Sequence, residues 1–324
     1  MAKPKQNRYS QGQGGGRYAA LAFVVIVLLA VGGYLLFGNN SRQTESRISP
    51  PAEKTSVPSA RPVQQPLTPT APPVQQLPQA QEYKPEPRPP VDLPLVPGSE
   101  KPSGAARMAV IIDDMGAGMQ EARALAGIGV PLTFAIIPGL HHVRDVAAFA
   151  PSKGIEVMIH MPMQSKEWPK RRLESNGLLV GMSDDEIRER IEGYLRDIPG
   201  AVGANNHMGS EFTEHEDKMR VVLSVLKGKG LYFIDSVTSS RSIGTRVAAG
   251  MGVRSGRRHV FLDNEQNMDY IKGQLEQAVR LAKRNGAAIA ICHPHPATIK
   301  TLGAVLPGLK ERGITLVHAS ALVR

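Results

Sequence analysis

The chain has 324 residues, a mass of 34.9 kDa and a formal net charge of +10. Hydrophobic residues at 41% and charged residues at 21% exclude a wholly disordered protein. A single cysteine, Cys292, excludes a disulfide framework and a Cys-rich zinc site, and one Trp with 5% aromatics argues against a stacking platform for nucleic acid.

Residues 1–17 form a polar tail with four basic residues and no acid. Residues 18–37 follow without a charge, with Tyr18 and Tyr34 near the ends. At 1.5 Å per residue a helix of that length spans about 30 Å, the thickness of a bilayer core. The run is longer than the apolar core of a cleaved signal peptide and lacks a small-x-small site behind it, so it reads as a retained transmembrane anchor. The basic tail predicts that the N-terminus stays inside and the rest of the chain is extracytoplasmic, in the periplasm. Residues 38–106 are a linker rich in proline, which removes the amide donors that helices and central strands need. It serves as a disordered, semi-rigid spacer, or as a proline segment that binds an envelope protein partner.

Residues 107–324 read as one domain. Its share of the charge is small, with 28 Lys and Arg against 23 Asp and Glu, so no nucleic-acid partner is called for. Strand-like apolar runs occur at 108–113, 132–137, 156–160, 202–206, 231–235, 259–263, 287–292 and 314–318. Helical patterns lie at 117–127, 144–152, 183–197, 214–228, 267–285 and 298–312, and Ser183-Asp-Asp-Glu186 is a capping box. Strands alternating with helices predict a parallel α/β sheet, open or closed into a barrel.

The strand ends are polar: Asp113-Asp114, His160, Asn205-Asn206-His207, Asp235-Ser236, Asp263-Asn264 and His293-Pro-His295. In a parallel α/β barrel such ends share one face, where active sites are built. Aspartate and histidine together suit a divalent metal, zinc above all, with an open position for water. Asp113 and Asp114 are consecutive, so in a regular strand they point to opposite sides. Both reach one site only if the strand end is irregular.

These residues carry a resemblance. Ile111-Ile-Asp-Asp-Met-Gly116 is similar to the Thr-Phe-Asp-Asp-Gly motif that opens the polysaccharide deacetylase family. His160-Met-Pro-Met-Gln164 resembles its His-Ser-x-x-His motif, with Gln164 in place of the second histidine. Ile291-Cys-His293 resembles its Leu-x-His motif. The ordered set is similar to the divergent polysaccharide deacetylases. The resemblance implies a distorted (β/α) barrel of about seven parallel strands. It implies Asp113 as catalytic base and His293, or else His295, as the acid. Asp114 and His160 become metal ligands, with His207 supplying the third in place of the missing histidine. Asp235 lies about where the family's fourth motif does and is one candidate partner of His293, and Gln164 reads as a surface amide or as a residue that orients substrate. The function so implied is a zinc-dependent hydrolase that removes acetyl groups from an envelope or extracellular glycan. The other reading is a non-catalytic module that binds metal or glycan with the same barrel.

The membrane reading makes a prediction of its own. A reporter active only in the cytoplasm, fused after Arg324, is expected to be silent; strong cytoplasmic activity would overturn the anchor's orientation.

Overall fold

The computed structural model describes residues 105–324. The basic tail, the expected membrane span and nearly all of the linker lie outside the described residues. Among the described residues no helix is long and apolar enough to cross a membrane.

Nine strands form one parallel sheet: β1 (Ala106–Met115), β2 (Thr133–Ile136), β3 (Glu156–Met163), β4 (Gly203–Met208), β5 (Tyr232–Asp235), β6 (Ser255–Arg257), β7 (Val260–Phe261), β8 (Ala287–Cys292) and β9 (Ile314–Leu316). Among the described residues seven α-helices lie between them: α1 (Met119–Ala126), α2 (Val143–Ser152), α3 (Asp184–Asp197), α4 (Glu216–Gly228), α5 (Gly244–Met251), α6 (Met268–Asn285) and α7 (Pro296–Val305). The domain starts one residue earlier than the sequence suggests, because Ala106 already pairs with Ile314 of β9. The strand order is β6-β5-β4-β3-β2-β1-β8-β7, with β9 added beside β1. β6 pairs with β5 and β7 with β8, yet only Arg258 and His259 separate them. The Arg258 amide donates to Asp235 O and the His259 amide to Ile289 O. One extended segment thus changes partner halfway and completes the ring. Counting it as one stave leaves seven around the ring and β9 added beside β1, so the sheet has nine strands where about seven are expected. β6 and α5 escape the sequence pattern: Ser255-Gly-Arg257 has no apolar residue, and α5 holds two glycines.

Helix boundaries follow local chemistry. Ser183 caps α3 in the predicted box, its Oγ accepting from the Glu186 amide while the Glu186 carboxylate accepts from the Ser183 amide. Asn267 caps α6 by accepting from the Tyr270 amide. Gly286, at φ 80°, ends α6 in the left-handed region and turns the chain into β8.

Alternation along the strands sorts the core in two. Met108, Val110 and Ile112 face the helices, in the large outer core. Ala109, Ile111, Ala135, Met158, Tyr232, Ile234, Ile289 and Ile291 fill the barrel interior. Gly203 admits the Tyr232 ring there; a Cβ at that position would lie 2.4 Å from ring carbons. The end of the chain closes the N-terminal mouth. Ala319, Leu322 and Val323 pack on the interior cluster, and Ser255 and Arg324 exchange backbone hydrogen bonds. Glu156 Oε1 gathers this end together, accepting from Thr133 Oγ1 (3.2 Å), Tyr232 OH (2.8 Å) and the Ser320 amide (3.1 Å). With the bottom plugged, the open mouth is the face where the strands end.

Two stability predictions follow from these contacts. Glu156→Ala strands the buried Tyr232 hydroxyl and is expected to cost about 1–3 kcal/mol in urea unfolding. Glu214, in the short turn Phe212–Glu214 after β4, ties three loops through Lys166, Ser239 and Arg241. Desolvation raises its pKa, but those donors and cations outweigh it and hold the carboxyl at about 2 against an ordinary 4.5. A depressed folded-state pKa gives stability that is full above the unfolded value and is lost as the pH falls. Melting temperature should therefore drop between pH 4.5 and about 2 more steeply in wild type than in Glu214→Gln.

Candidate metal centre

β1 presents the first two acids. Ala109, Ile111 and Asp113 share the inward parity, so Asp113 rises from the barrel interior and is 3% exposed. Asp114, by alternation, belongs on the helix side. It reaches the same site because its backbone is left-handed, φ 55°, and the β1–β2 register shifts between Ile112 and Met115. This is the irregular strand end that two adjacent site acids require.

The other strands obey the same parity. On β3, His160 follows Met158 inward; on β4, Asn205 and His207 follow Gly203; beyond β8, His293 follows Ile289 and Ile291. Asn205 ties the group together. Its Nδ2 donates to Asp113 Oδ1 at 2.8 Å and to Ser236 Oγ at 3.2 Å, which leaves Oδ1 to accept from His160 Nδ1 at 2.7 Å. His160 therefore donates from Nδ1 and turns Nε2 into the mouth.

Three donor atoms meet there. His207 Nδ1 is 3.0 Å from Asp114 Oδ1 and 3.1 Å from His160 Nε2, and Asp114 Oδ1 is 3.2 Å from His160 Nε2. Asp114 Oδ1 is buried and receives no well-formed hydrogen bond, so an oxygen and two ring nitrogens crowd together around a shared point. A tetrahedral zinc with bonds of about 2.0–2.1 Å separates its ligands by about 3.3–3.4 Å, so this triangle is almost the right size. Asp114, His160 and His207 thus fit a divalent cation as the sequence predicts. Electrostatics agree. Burial acts to raise the Asp114 pKa, but His207, His293 and His160 outweigh it and hold the carboxyl well below the usual range. Burial disfavours a charged His160, but Asp113 and Asp114 overcome it and raise its pKa. For Asp113 burial prevails over His160, His293 and Asn205, and its carboxyl stands above the ordinary carboxylate value.

His293 closes the far side, its Nε2 3.8 Å from Asp114 Oδ2. The expected Asp235 partner is corrected. Asp235 alternates outward with Phe233, and its carboxylate accepts from the Val237 amide and Ser242 Oγ. Asp263 takes that place. It shares the inward parity of Phe261, its Oδ2 accepts from the His293 amide and Thr298 Oγ1, and its Oδ1 lies 3.2 Å from His293 Nδ1. Burial opposes the imidazolium, but Asp114, Asp263 and Asp113 raise the His293 pKa to about 10. His295 lies beside it, ring centroids 5.7 Å apart, at the start of α7. Asp263, His293 and His295 form a second group of possible ligands, but Asp263 is already engaged by His293 and Thr298.

Gln164 joins two loops: its Oε1 accepts from the Val180 amide, and its carbonyl accepts from the Glu211 and Phe212 amides. Cys292 points outward into the helix-facing core, as expected of a packing residue. The sequence reading missed Glu174, whose Oε1 is 3.7 Å from His207 Nε2. No strand pattern marks it, since it lies in the loop after β3. Among the described residues, the non-glycine residues with positive φ are Asp114, Met208 and Val237, at or just past the ends of β1, β4 and β5. Arg258 braces the last of these, donating to Ser236 O and Val237 O.

Comparison with known proteins places this architecture. The family model for divergent polysaccharide deacetylase matches residues 110–323. The uncharacterized protein YibQ of Escherichia coli is 41% identical over 219 residues, 68% of each chain. An uncharacterized protein of Haemophilus influenzae is 36% identical over 206 residues, 64% of this chain and 73% of its own. The crystal structure of an uncharacterized Agrobacterium tumefaciens protein superposes with a TM-score of 0.65 at 22% identity, covering 69% of this chain and 92% of that one, which shows the shared fold. With the family model spanning nearly the whole barrel and the family's acids and histidines gathered at its mouth, the chain belongs to the divergent polysaccharide deacetylase family.

Proposed function

We propose that this protein is a metal-dependent hydrolase that removes N- or O-acetyl groups from a glycan of the cell envelope. The observation that carries the reading is the shared mouth of three groups: the Asp114, His160 and His207 donors, the buried Asp113, and the Asp263–His293 pair. Asp114, His160 and His207 would hold the ion, zinc by their oxygen and nitrogen types. Such an ion, when bound, polarises the acetyl carbonyl and acidifies a water.

The protein groups do the rest. Asp113, held by Asn205 and desolvated, is poised to take a proton from the attacking water, and its raised pKa suits a base. The water oxygen bonds to the acetyl carbon as the bond from that carbon to the sugar nitrogen or oxygen breaks. His293, kept protonated beside Asp263, gives its proton to the departing amine or alcohol, so acetate and the free sugar group result. The family and its barrel support a deacetylase class; the envelope location rests on the charge-free run at 18–37 and the proline-rich linker behind it.

The test divides the residues by assay. Asp114→Ala, His160→Ala and His207→Ala should each lower bound zinc in elemental analysis. Asp113→Asn should keep the metal and abolish acetate release from an acetylated glycan. His293→Ala should keep the metal and slow release by roughly 10²–10⁴-fold, the range for a lost general acid. Metal retained in wild type with no acetate released from any glycan would select the non-catalytic, glycan-binding reading instead.

A further inference from the structure

We infer that Glu174 is a positioning residue that fixes His207 to offer Nδ1, and only Nδ1, to the metal. The inference rests on the metal reading of the site and deepens it. The two histidines of the centre differ in how they are held. His160 is 2% exposed, and Asn205 settles which of its nitrogens carries the proton. His207 is the less buried ring, at the end of β4 beside Met208, whose φ is 52°. Its Nδ1 faces Asp114 and His160, and its Nε2 faces Glu174 Oε1 at 3.7 Å. That separation is an ion-pair distance, longer than a hydrogen bond of about 2.7–3.2 Å.

Two observations make Glu174 the partner of Nε2. The first is the spacing across the ring. Nδ1 stands 3.0 and 3.1 Å from its neighbours, inside the about 3.3–3.4 Å that a tetrahedral ion sets between ligands. Opening the triangle moves the His207 ring away from Asp114 and His160, toward the carboxylate behind it. The second is that Glu174 Oε2 is buried with no hydrogen-bond partner, so this carboxylate has accepting capacity in hand. A buried carboxylate with an oxygen left without a donor favours turning toward an N–H, and His207 Nε2 is the ring nitrogen that faces it, across Oε1.

The loop that carries Glu174 is held stiffly enough for the task. Asn176 Nδ2 donates to Pro138 O, Tyr194 OH to Asn176 O, and Arg190 to the carbonyls of Ser175 and Gly177. Leu178 exchanges backbone bonds with Pro162 and Gln164 at the end of β3. Glu174 is thereby set opposite β4 by contacts independent of His207. A metal-bound imidazole needs its second N–H engaged, because that bond sets the tautomer and the ring's orientation.

The test uses the full chain loaded with zinc. In competition with a chelator, Glu174→Ala should weaken zinc binding by about 10–100-fold, the usual effect of a lost outer partner. Glu174→Gln, whose amide oxygen still accepts, should fall between it and wild type, and it carries the test if the alanine variant does not fold. Melting of the metal-free proteins should be alike, which separates positioning from loop stability. Ring ¹H–¹⁵N correlation spectra of the zinc-loaded wild type should show His207 bound through Nδ1 with a slowly exchanging Nε2 proton, and that proton should exchange fast in Glu174→Ala. Wild-type zinc affinity in both variants, or a His207 bound through Nε2, overturns the role of Glu174 and leaves the metal site standing. A wild type that binds no zinc overturns the metal reading itself, and this inference with it.

Discussion

A closed ring of parallel strands has one inner face, and the two-residue alternation of each strand decides what reaches it. Most of the residues at this site are placed by that constraint. Low in the barrel the inward positions are Ala109, Ile111, Met158, Tyr232, Ile234, Ile289 and Ile291, and they exclude water. One or two steps further along the same parity stand Asp113, His160, Asn205, His207, Ser236 and His293. The apolar layer is the floor on which the polar layer rests, and the C-terminal segment seals it from below through Glu156. Desolvation from that floor is what lifts Asp113 and makes each charge near it count.

The site also needs departures from regular alternation, and they are local and strained. Asp114 leaves the outer parity by adopting a left-handed backbone, and Met208 and Val237 do likewise at their own strand ends. Each such residue costs on the order of 1 kcal/mol or more, and persists where surrounding contacts over-determine it. The contacts are visible. Met208 O accepts from Asn206 and Thr238, Val237 is held between Asp235 and Arg258, and Asp114 is placed among three imidazoles. Strain gathered at the mouth, with a relaxed barrel beneath it, fits a site arranged for a ligand rather than for stability alone.

Much of the fold was legible in the chain because short apolar runs and their polar ends survive in any α/β barrel. The capping box at Ser183 and the start of β8 at Ala287 follow from local chemistry and stand where the pattern puts them. β6 and α5 were not legible, since one has no apolar residue and the other takes its helical state from packing rather than propensity. Asp235 shows the limit at the site: it ends a strand as Asp113, His160 and His207 do, but the odd and even positions of β5 decide its side, and it faces helix α5.

The sequence by itself pointed to the family, to a parallel barrel and to five residues that the fold brings to one mouth, Asp113, Asp114, His160, His207 and His293, because chemistry-bearing residues at strand ends form an ordered set along the chain. Only the tertiary structure decided the neighbours: Asp263 rather than Asp235 bonded to His293, Asn205 bonded to His160, Glu174 3.7 Å from His207, and Gln164 joining two loops. Those pairings join residues 30 to 45 apart in sequence, across different strands and loops. They depend on parity, register and loop path, which are fixed only when the ring closes.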